Sequence, residues 1–443
     1  MDTAWRIKMK PSKFNIVIPL PDSKEFLIFN TFTDSRVVVR REIKEAIEKS
    51  PINESFFDAG EEGILEELLE LGIVLEDHVD EEMELEYWFQ RLKFDTSVLD
   101  ITVLTTYACN LRCTYCYEDG IMRTSSMRDD ICKRTILWII KRLDQVRPNT
   151  LRLLFFGGEP LLHITPMKLI SEELYYACQR RKIDLDIRLV TNGVLLTREV
   201  VDCLKEFGLR GIKVTLDGDQ EAHDAKRRYR DGRGTFDTIL ENLKQIMGKV
   251  PITIGGNFDD SNKESIPRLL SRLKASGFTR KHIEMIRFKP ILTTMGQGCT
   301  ENRVCTFSSI KVEDFLWIKE EIEKRGFTTS EDISLGPCEV VREHNYVIDP
   351  IGKIYKCAGF VGREEFIIGD IKDDRSLLHT NTQFMTADLW RKCRGCSYIP
   401  ICGGGCRVNS QTLWGNFLSS ACEAEHFMKV SQSLLKDEVT ERR

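Results

Sequence analysis

Hydrophobic and polar positions alternate differently in three parts of the chain. In residues 1–95, strand-like runs at NIVIPL (15–20), EFLIFN (25–30) and RVVV (36–39) predict a small β-hairpin. Helical spacing in EIKEAIEK and in EEGILEELLELGIVL (61–75) predicts helices, with Gly72 as the stop. The run EDHVDEEMELE (76–86) holds seven carboxylates and reads as a solvated linker or helix face. Residues 96–325 change character. Apolar runs at LDITVLTT (99–106), LRLLFFG (151–157), LDIRLVTN (185–192), GIKVTL (211–216), PITIGG (251–256) and HIEMIRFKP (282–290) alternate with amphipathic segments such as 129–146 and 235–250. That alternation predicts a parallel sheet covered by helices, with functional residues at the carboxyl ends of its strands. Residues 326–443 are rich in turns (SLGPC, DPIGKIYKC, KCRGC, PICGGGC) and close on a helix over 423–440. Such a segment buries little core by itself and needs cross-links.

Composition then narrows the chemistry. The length of 443 residues implies more than one domain, and a net charge of −5 gives no basic field for nucleic acid. No run of eighteen apolar residues predicts a membrane span, and MDTAWRIKMKPSK lacks the apolar stretch of a signal peptide. The expected compartment is therefore the cytoplasm, where thiols stay reduced. Fifteen cysteines in that setting point to metal ligation.

Their spacing is informative. In TYACNLRCTYCYED (106–119), at the end of the first strand of the central segment, Cys109, Cys113 and Cys116 are spaced C-x3-C-x2-C. Zinc sites want four ligands, usually in C-x2-C pairs, and the first gap is too wide for that. Three thiolates on one loop suit three irons of a cubane and leave the fourth iron open. FFGGEP (155–160) ends the second strand, with Gly157 and Gly158 permitting close backbone approach to a ligand and Glu159 adding a carboxylate. LVTNGVLL (189–196) and VTLDGDQEAHDAKR (214–227) place further polar residues at strand ends. Together these segments resemble the radical S-adenosylmethionine (SAM) enzymes, and the last two are similar to segments of anaerobic sulfatase-maturing and peptide-modifying members. The resemblance implies a partial (β/α)6 barrel. It implies an iron–sulfur cluster on Cys109, Cys113 and Cys116, and SAM contacts from Tyr115 to adenine and from Gly157, Gly158 and Glu159 to the methionine amine. It places Thr215 and Arg227 near the ribose and carboxylate. Asn257 and Asp260 are weaker candidates, and Cys132, Cys178 and Cys203 fall in helical patterns as packing residues.

Near the C-terminus, Cys338 is followed by Gly352-x4-Cys357, then by Cys393, Cys396, Cys402, Cys406 and Cys422. Seven cysteines exceed one zinc site and match the SPASM pattern, whose members bind two auxiliary [4Fe–4S] clusters. The resemblance assigns Cys393, Cys396, Cys402 and Cys422 to the distal cluster, and Cys338, Cys357 and Cys406 to the proximal one. The fourth proximal ligand is left to Cys299, Cys305 or a substrate thiolate. The expected cofactors are thus SAM and three [4Fe–4S] clusters.

The expected organisation is an α/β chain in three domains. Residues 1–95 resemble a small α+β winged-helix module that grips a peptide leader as an added edge strand. Residues 96–325 form the radical SAM partial barrel, and residues 326–443 an irregular SPASM domain. The expected function is generation of a 5′-deoxyadenosyl radical to modify a ribosomally made peptide, by thioether or carbon–carbon crosslinking or by epimerisation, with flavodoxin or ferredoxin as reductant. A sulfatase-type maturase forming formylglycine is the alternative. It is weakened because Ala358 follows Cys357, where those enzymes carry an aspartate, and alanine takes no proton. A multi-cluster electron carrier is the other alternative, disfavoured by the intact GGEP. No residue stands out as the catalytic acid, base or hydrogen donor.

Overall fold

The computed structural model describes residues 8–20, 24–52, 57, 63–116, 125–291, 312–329, 336–373, 379–388, 390–422 and 424–441. Five short strands open the chain: β1 (Met9–Pro11), β2 (Asn15–Pro19), β3 (Glu25–Asn30), β4 (Arg36–Arg40) and β5 (Val74–Glu76). Strands β2, β3 and β4 form an antiparallel sheet with β3 in the middle, and β1 pairs separately with β5. The helix expected within 61–75 ends at Glu70, and Gly72 follows as its stop with a φ of +69°. Ile73 and Val74 are fully buried beyond it, and Val74–Glu76 pairs with β1 as a strand.

The acidic run is structural. Asp80 caps the helix Glu81–Lys93 by accepting the amides of Glu82 (3.0 Å) and Met83 (3.1 Å). Glu81 is buried and accepts Ser12 Oγ at 2.6 Å and the Lys13 amide at 3.0 Å. The helix thereby fastens the N-terminal sheet to the rest of the chain. On its inner face Phe89 is fully buried and lies 4.3 Å, ring centre to ring centre, from Trp390. Trp390 in turn donates Nε1–H to Glu86 at 2.6 Å.

The central sheet takes its strands from β6 (Val98–Leu104), β8 (Thr150–Phe156), β9 (Asp184–Thr191), β10 (Leu209–Thr215), β12 (Ile252–Phe258) and β13 (Ile283–Pro290), all parallel neighbours in chain order. β7 (Leu111–Cys113) and β11 (Arg227–Tyr229) lie outside it as a two-stranded ribbon. Helices such as Asp129–Val146, Ile164–Arg181, Phe236–Gln245 and Ile266–Ala275 follow the strands. Residues Ile101, Val103, Leu153, Phe155, Ile187, Leu189, Ile212, Val214, Ile252 and Ile254 fill the buried layer of the sheet, and alternate positions face the other way into the barrel.

The C-terminal segment joins this sheet. β14 (Asn345–Ile348) runs parallel to β6, and β15 (Lys353–Tyr355) and β16 (Gly369–Asp370) extend the edge. Phe360, Phe366, Phe384 and Phe417 pack on one another, with centroids as close as 4.4 Å. The segment has more core than its turn-rich sequence predicts. Among the described residues no helix is long and apolar enough to cross a membrane.

Truncating Phe89 removes the ring that joins helix Glu81–Lys93 to Trp390. F89A is expected to lose about 3–5 kcal/mol of stability in urea unfolding, as full truncation of a buried aromatic does.

Candidate functional site

The site is assembled where β6, β8, β9, β10 and β12 end. Beyond β6 the chain forms the loop carrying Cys109, then β7, whose last residue is Cys113; Cys116 follows a turn closed by its amide on Cys113 O at 3.4 Å. β7 is held by β11 with Cys113 opposite Arg227, so the cysteine loop and the arginine are positioned by the same ribbon. Cys109, Cys113 and Cys116 are all half-buried and free of disulfides.

The two glycines of FFGGEP are required by packing, whatever ligand they meet. A Cβ on Gly157 would lie 2.5 Å from the Thr106 carbonyl oxygen, and one on Gly158 would lie 2.3 Å from Ala108 O and 2.5 Å from Tyr107 O. Gly157 also has φ of +137°, which glycine alone adopts without strain. The glycines let this loop lie against the backbone of the cysteine loop. Two hydrogen bonds lock it there, Gly158 N to Thr106 O (3.2 Å) and Glu159 N to Ala108 O (2.8 Å).

Glu159 is fully buried. Its Oε1 accepts Thr191 Oγ1 (2.7 Å) and the Leu161 amide (3.1 Å), and Oε2 accepts the Asn192 amide (2.7 Å). Burial raises its pKa, opposed by these hydrogen bonds and by Arg227. Three donors leave room for one more on Oε2. Asn192, held by Glu159, donates to Asn110 Oδ1 at 2.8 Å and faces Cys109 Sγ at 3.9 Å. The TNG segment thus braces the first cysteine, a role that sequence did not assign to it.

Tyr115, Asp217, Arg227 and Asn257 form one polar knot. Tyr115 donates its hydroxyl to Asp217 Oδ2 and accepts from Arg227 Nη1 (2.8 Å) and Asn257 Nδ2 (3.1 Å). Asp217 is fully buried and also accepts the Asn257 amide at 2.8 Å. Arg227 is no surface ion pair: its guanidinium is buried, and its Nε finds no partner. Behind it His223, also fully buried, accepts the Asp217 amide at Nδ1 (3.2 Å). Its remaining proton reaches Thr235 Oγ1 at 3.0 Å, and Thr235 donates to Arg227 O at 2.7 Å. Burial, followed by the Arg227 charge, holds this imidazole well below its ordinary pKa and hence neutral. Thr215 ends β10, half-buried, beside this knot. Asp260 stands apart, exposed and paired with Lys263 at 2.7 Å.

The C-terminal cysteines fall into two neighbourhoods. Cys357 lies within electrostatic reach of Cys338 and Cys406, whereas Cys393 lies within reach of Cys396 and Cys422. Cys402 is half-buried at the end of a short helical turn, Ile399–Cys402, four residues before Cys406. Between the two groups sits Arg407, which is buried and donates to the carbonyls of Gly404, Gly405 (2.9 Å), Phe417 (3.2 Å) and Ser419 (2.8 Å). Its charge reaches Cys338 on one side and Cys393 on the other. Nothing in the spacing of the cysteines pointed to this arginine. Cys132 and Cys178 are buried among helices as expected, Cys203 is half-buried, and Cys299 and Cys305 lie outside the described residues.

These residues fit a cluster with a charged ligand. Among the described residues no three His, Cys, Asp or Glu side chains converge tightly enough for one metal ion. A cubane asks for a wider spread, with one thiolate to each iron. Burial pushes the Cys109 and Cys357 thiols up to about 12, so only a strong local cation converts them to thiolates, as bound iron does. Buried Arg227, opposite Cys113 in the ribbon, keeps an Nε without a hydrogen-bond partner and suits a carboxylate.

Two substitutions follow. G158A puts a methyl group into the Tyr107 and Ala108 carbonyls and is expected to reduce the iron content of the reconstituted protein by about four per chain. R227K keeps the charge but not the fork, and is expected to weaken SAM binding at least tenfold by equilibrium dialysis, roughly 1.4 kcal/mol.

Residues 103–274 match the family described as the Radical SAM superfamily. The chain is 25% identical over 353 residues to a cysteine-type anaerobic sulfatase-maturating enzyme of Clostridium novyi, covering 72% of this chain and 90% of that one. It is 24% identical to the mycofactocin maturase MftC of Mycobacterium tuberculosis, covering 68% and 76%. Among solved structures, anSMEcpe with bound AdoMet superposes with a TM-score of 0.59 at 18% identity, over 78% of this chain and 96% of that one. SuiB of Streptococcus suis, bound to its precursor peptide SuiA, gives a TM-score of 0.52 at 15% identity over 94% and 99%. The strand order and the parallel sheet described above are those of a radical SAM partial barrel, and the chain is an enzyme that carries a Radical SAM domain over residues 103–274.

Proposed function

We propose that this chain is a SPASM-type maturase that modifies a ribosomally made peptide, with its N-terminal module binding the leader. The observation that carries this reading is the three-stranded N-terminal sheet with β4 at its rim. Among the described residues the sheet order is β2-β3-β4, with β4 in antiparallel register on β3 from Arg36 to Arg40, the kind of sheet that extends by an added strand. The likeness to SuiB, whose structure holds a precursor peptide, spans 94% of this chain and supports the same reading. Formylglycine formation is disfavoured by Ala358, which opens a short turn after Cys357 and offers no carboxylate.

In this reading Cys109, Cys113 and Cys116 hold the radical-generating cluster, and Tyr115, Gly157, Gly158, Glu159, Thr215 and Arg227 hold SAM. Cys338, Cys357 and Cys406 hold the proximal auxiliary cluster, with Cys299, Cys305 or the substrate as its fourth ligand. Cys393, Cys396, Cys402 and Cys422 hold the distal one. When bound, SAM and its cluster supply a 5′-deoxyadenosyl radical that removes a hydrogen atom from the substrate. The chain's own residues orient and protect. Arg227 aims a buried guanidinium at the ligand carboxylate, and the free lone pair of Glu159 receives an amine proton. Gly157 and Gly158 seal the second loop against the first and keep water from the cluster. A small iron–sulfur or flavin protein, ferredoxin or flavodoxin, is the reductant.

The test is anaerobic reconstitution followed by iron counting and SAM turnover with dithionite. About twelve irons and 5′-deoxyadenosine are expected; about eight irons and no cleavage would leave only an electron carrier. Leader binding is read separately by hydrogen exchange. A precursor peptide encoded beside this gene is expected to slow the amides of 36–40, and unchanged exchange there refutes the N-terminal role.

A further inference from the structure

The inner face of the barrel divides into a balanced half and an unbalanced one. On β6, β8 and β9, Asp100, Arg152 and Asp186 stand opposite one another in register. Arg152 pairs with Asp100 at 3.8 Å and Arg188 with Asp186 at 3.2 Å, so the charges there cancel. On β10, β12 and β13 the same face presents Lys213, Arg287 and Lys289. Their strand neighbours Ile212, Val214, Ile286 and Phe288 are buried on the opposite face. In the register Gly255 lies opposite Arg287, and Asn257 opposite Lys289. A Cβ on Gly255 would stand 2.3 Å from Lys213 Cε and 3.2 Å from its Nζ. The bare glycine therefore gives the lysine its path across β12 towards Arg287.

Three cations are thus gathered on adjacent strands. Among the described residues none of them forms an ion pair or a side-chain hydrogen bond. They feel one another: burial, then Lys289 and Arg287, lowers the Lys213 pKa to about 8, and burial and Arg287 lower that of Lys289. The strip lies next to the radical site, since Thr215 and Asn257 follow Lys213 and Gly255 by two residues on the same face, roughly 7 Å of strand. At its other end Lys289 is within electrostatic reach of Cys406. Gathering three like charges costs free energy unless an anion joins them.

We propose that Lys213, Arg287 and Lys289 form a carboxylate-binding subsite inside the barrel that anchors an acidic group of the peptide substrate between the SAM site and the proximal cysteines. The proposal rests on the peptide reading above. Arg287 supplies the planar fork, and the two lysines flank it as point charges.

The experiment uses the full chain, reconstituted anaerobically with its clusters and saturated with SAM. Acylation of Lys213 and Lys289 by a neutral amine-reactive ester is followed by peptide mass spectrometry at pH 8. The probes are acetyl-Glu-Gly-Glu-amide, acetyl-Gln-Gly-Gln-amide and acetyl-Gln-Gly-Gln with a free terminus. The glutamate peptide is expected to slow labelling of both lysines at least fivefold and the glutamine amide to leave it unchanged. Protection by the free-terminus peptide as well assigns the subsite to a chain terminus as readily as to a side chain. Protection should be lost in R287Q and retained in R287K. Equal labelling with and without the glutamate peptide overturns the proposal, as does equal protection by the glutamine amide. Lysines that are inert before any peptide is added, or protected by SAM alone, overturn it too. The same samples are assayed for 5′-deoxyadenosine. Cleavage without protection sinks only the subsite, whereas protection without cleavage sinks the enzymatic reading and leaves the subsite standing.

Discussion

Everything at the reactive end of the barrel depends on one close backbone contact, the seating of residues 157–159 on the carbonyls of residues 106–108. No side chain larger than hydrogen fits at Gly157 or Gly158 without driving a Cβ into an oxygen. Because the contact is backbone to backbone, the cysteine loop has little freedom to shift relative to β8. Glu159 then extends the constraint to β9 through Thr191 and Asn192, and Asn192 returns to the cysteine loop through Asn110. Three successive strand ends are locked into one rigid rim. A radical centre needs that rigidity, since the reacting atoms must be held at short range while water stays out.

A second unit holds the other side of the rim. Tyr115 comes from the cysteine loop, Asp217 follows β10, Arg227 opens β11 and Asn257 belongs to β12, and they meet at one hydroxyl. His223 and Thr235 sit behind and fix the main chain at residues 217 and 227. The histidine is a positioning residue, neutral and enclosed. This explains why a motif that looks like chemistry in the sequence, HD between DG and R, supplies support instead: Asp224 accepts the amides of Thr235 (2.7 Å) and Phe236 (2.9 Å).

How much was legible follows from the kind of force involved. The six parallel strands were readable because each buries one face against helices and so carries a continuous apolar record. Helix 129–146 was readable to the residue because its stripe is uninterrupted. The cysteine spacings were visible in the chain itself, and the fold brings Cys109, Cys113 and Cys116 to the end of β6. What escaped was cooperation between distant segments. β5 was not read as a strand because its partner β1 lies more than sixty residues away. The pairing of β14 with β6 and the phenylalanine cluster of the C-terminal segment leave no period in the sequence. Arg407 and Lys213 are single cations in an unremarkable context, and only the fold reveals what surrounds each of them.

The N-terminal sheet and the C-terminal cysteine segment are also directly bonded. Thr31 Oγ1 donates to the carbonyl of Ser397 at 2.5 Å, and the Ser397 hydroxyl donates to Lys13 O at 2.7 Å. Ser397 follows Cys396. Phe14, Leu85 and Phe89 belong to the same continuous core as the barrel strands. The first ninety-odd residues are therefore not a detachable handle, and cutting them away would strip the covering from the cysteines at the far end of the chain. A strand added at the outer edge of the N-terminal sheet would pull, through two hydroxyls, on the neighbour of Cys396: docking and the setting of that thiol would share one mechanical linkage.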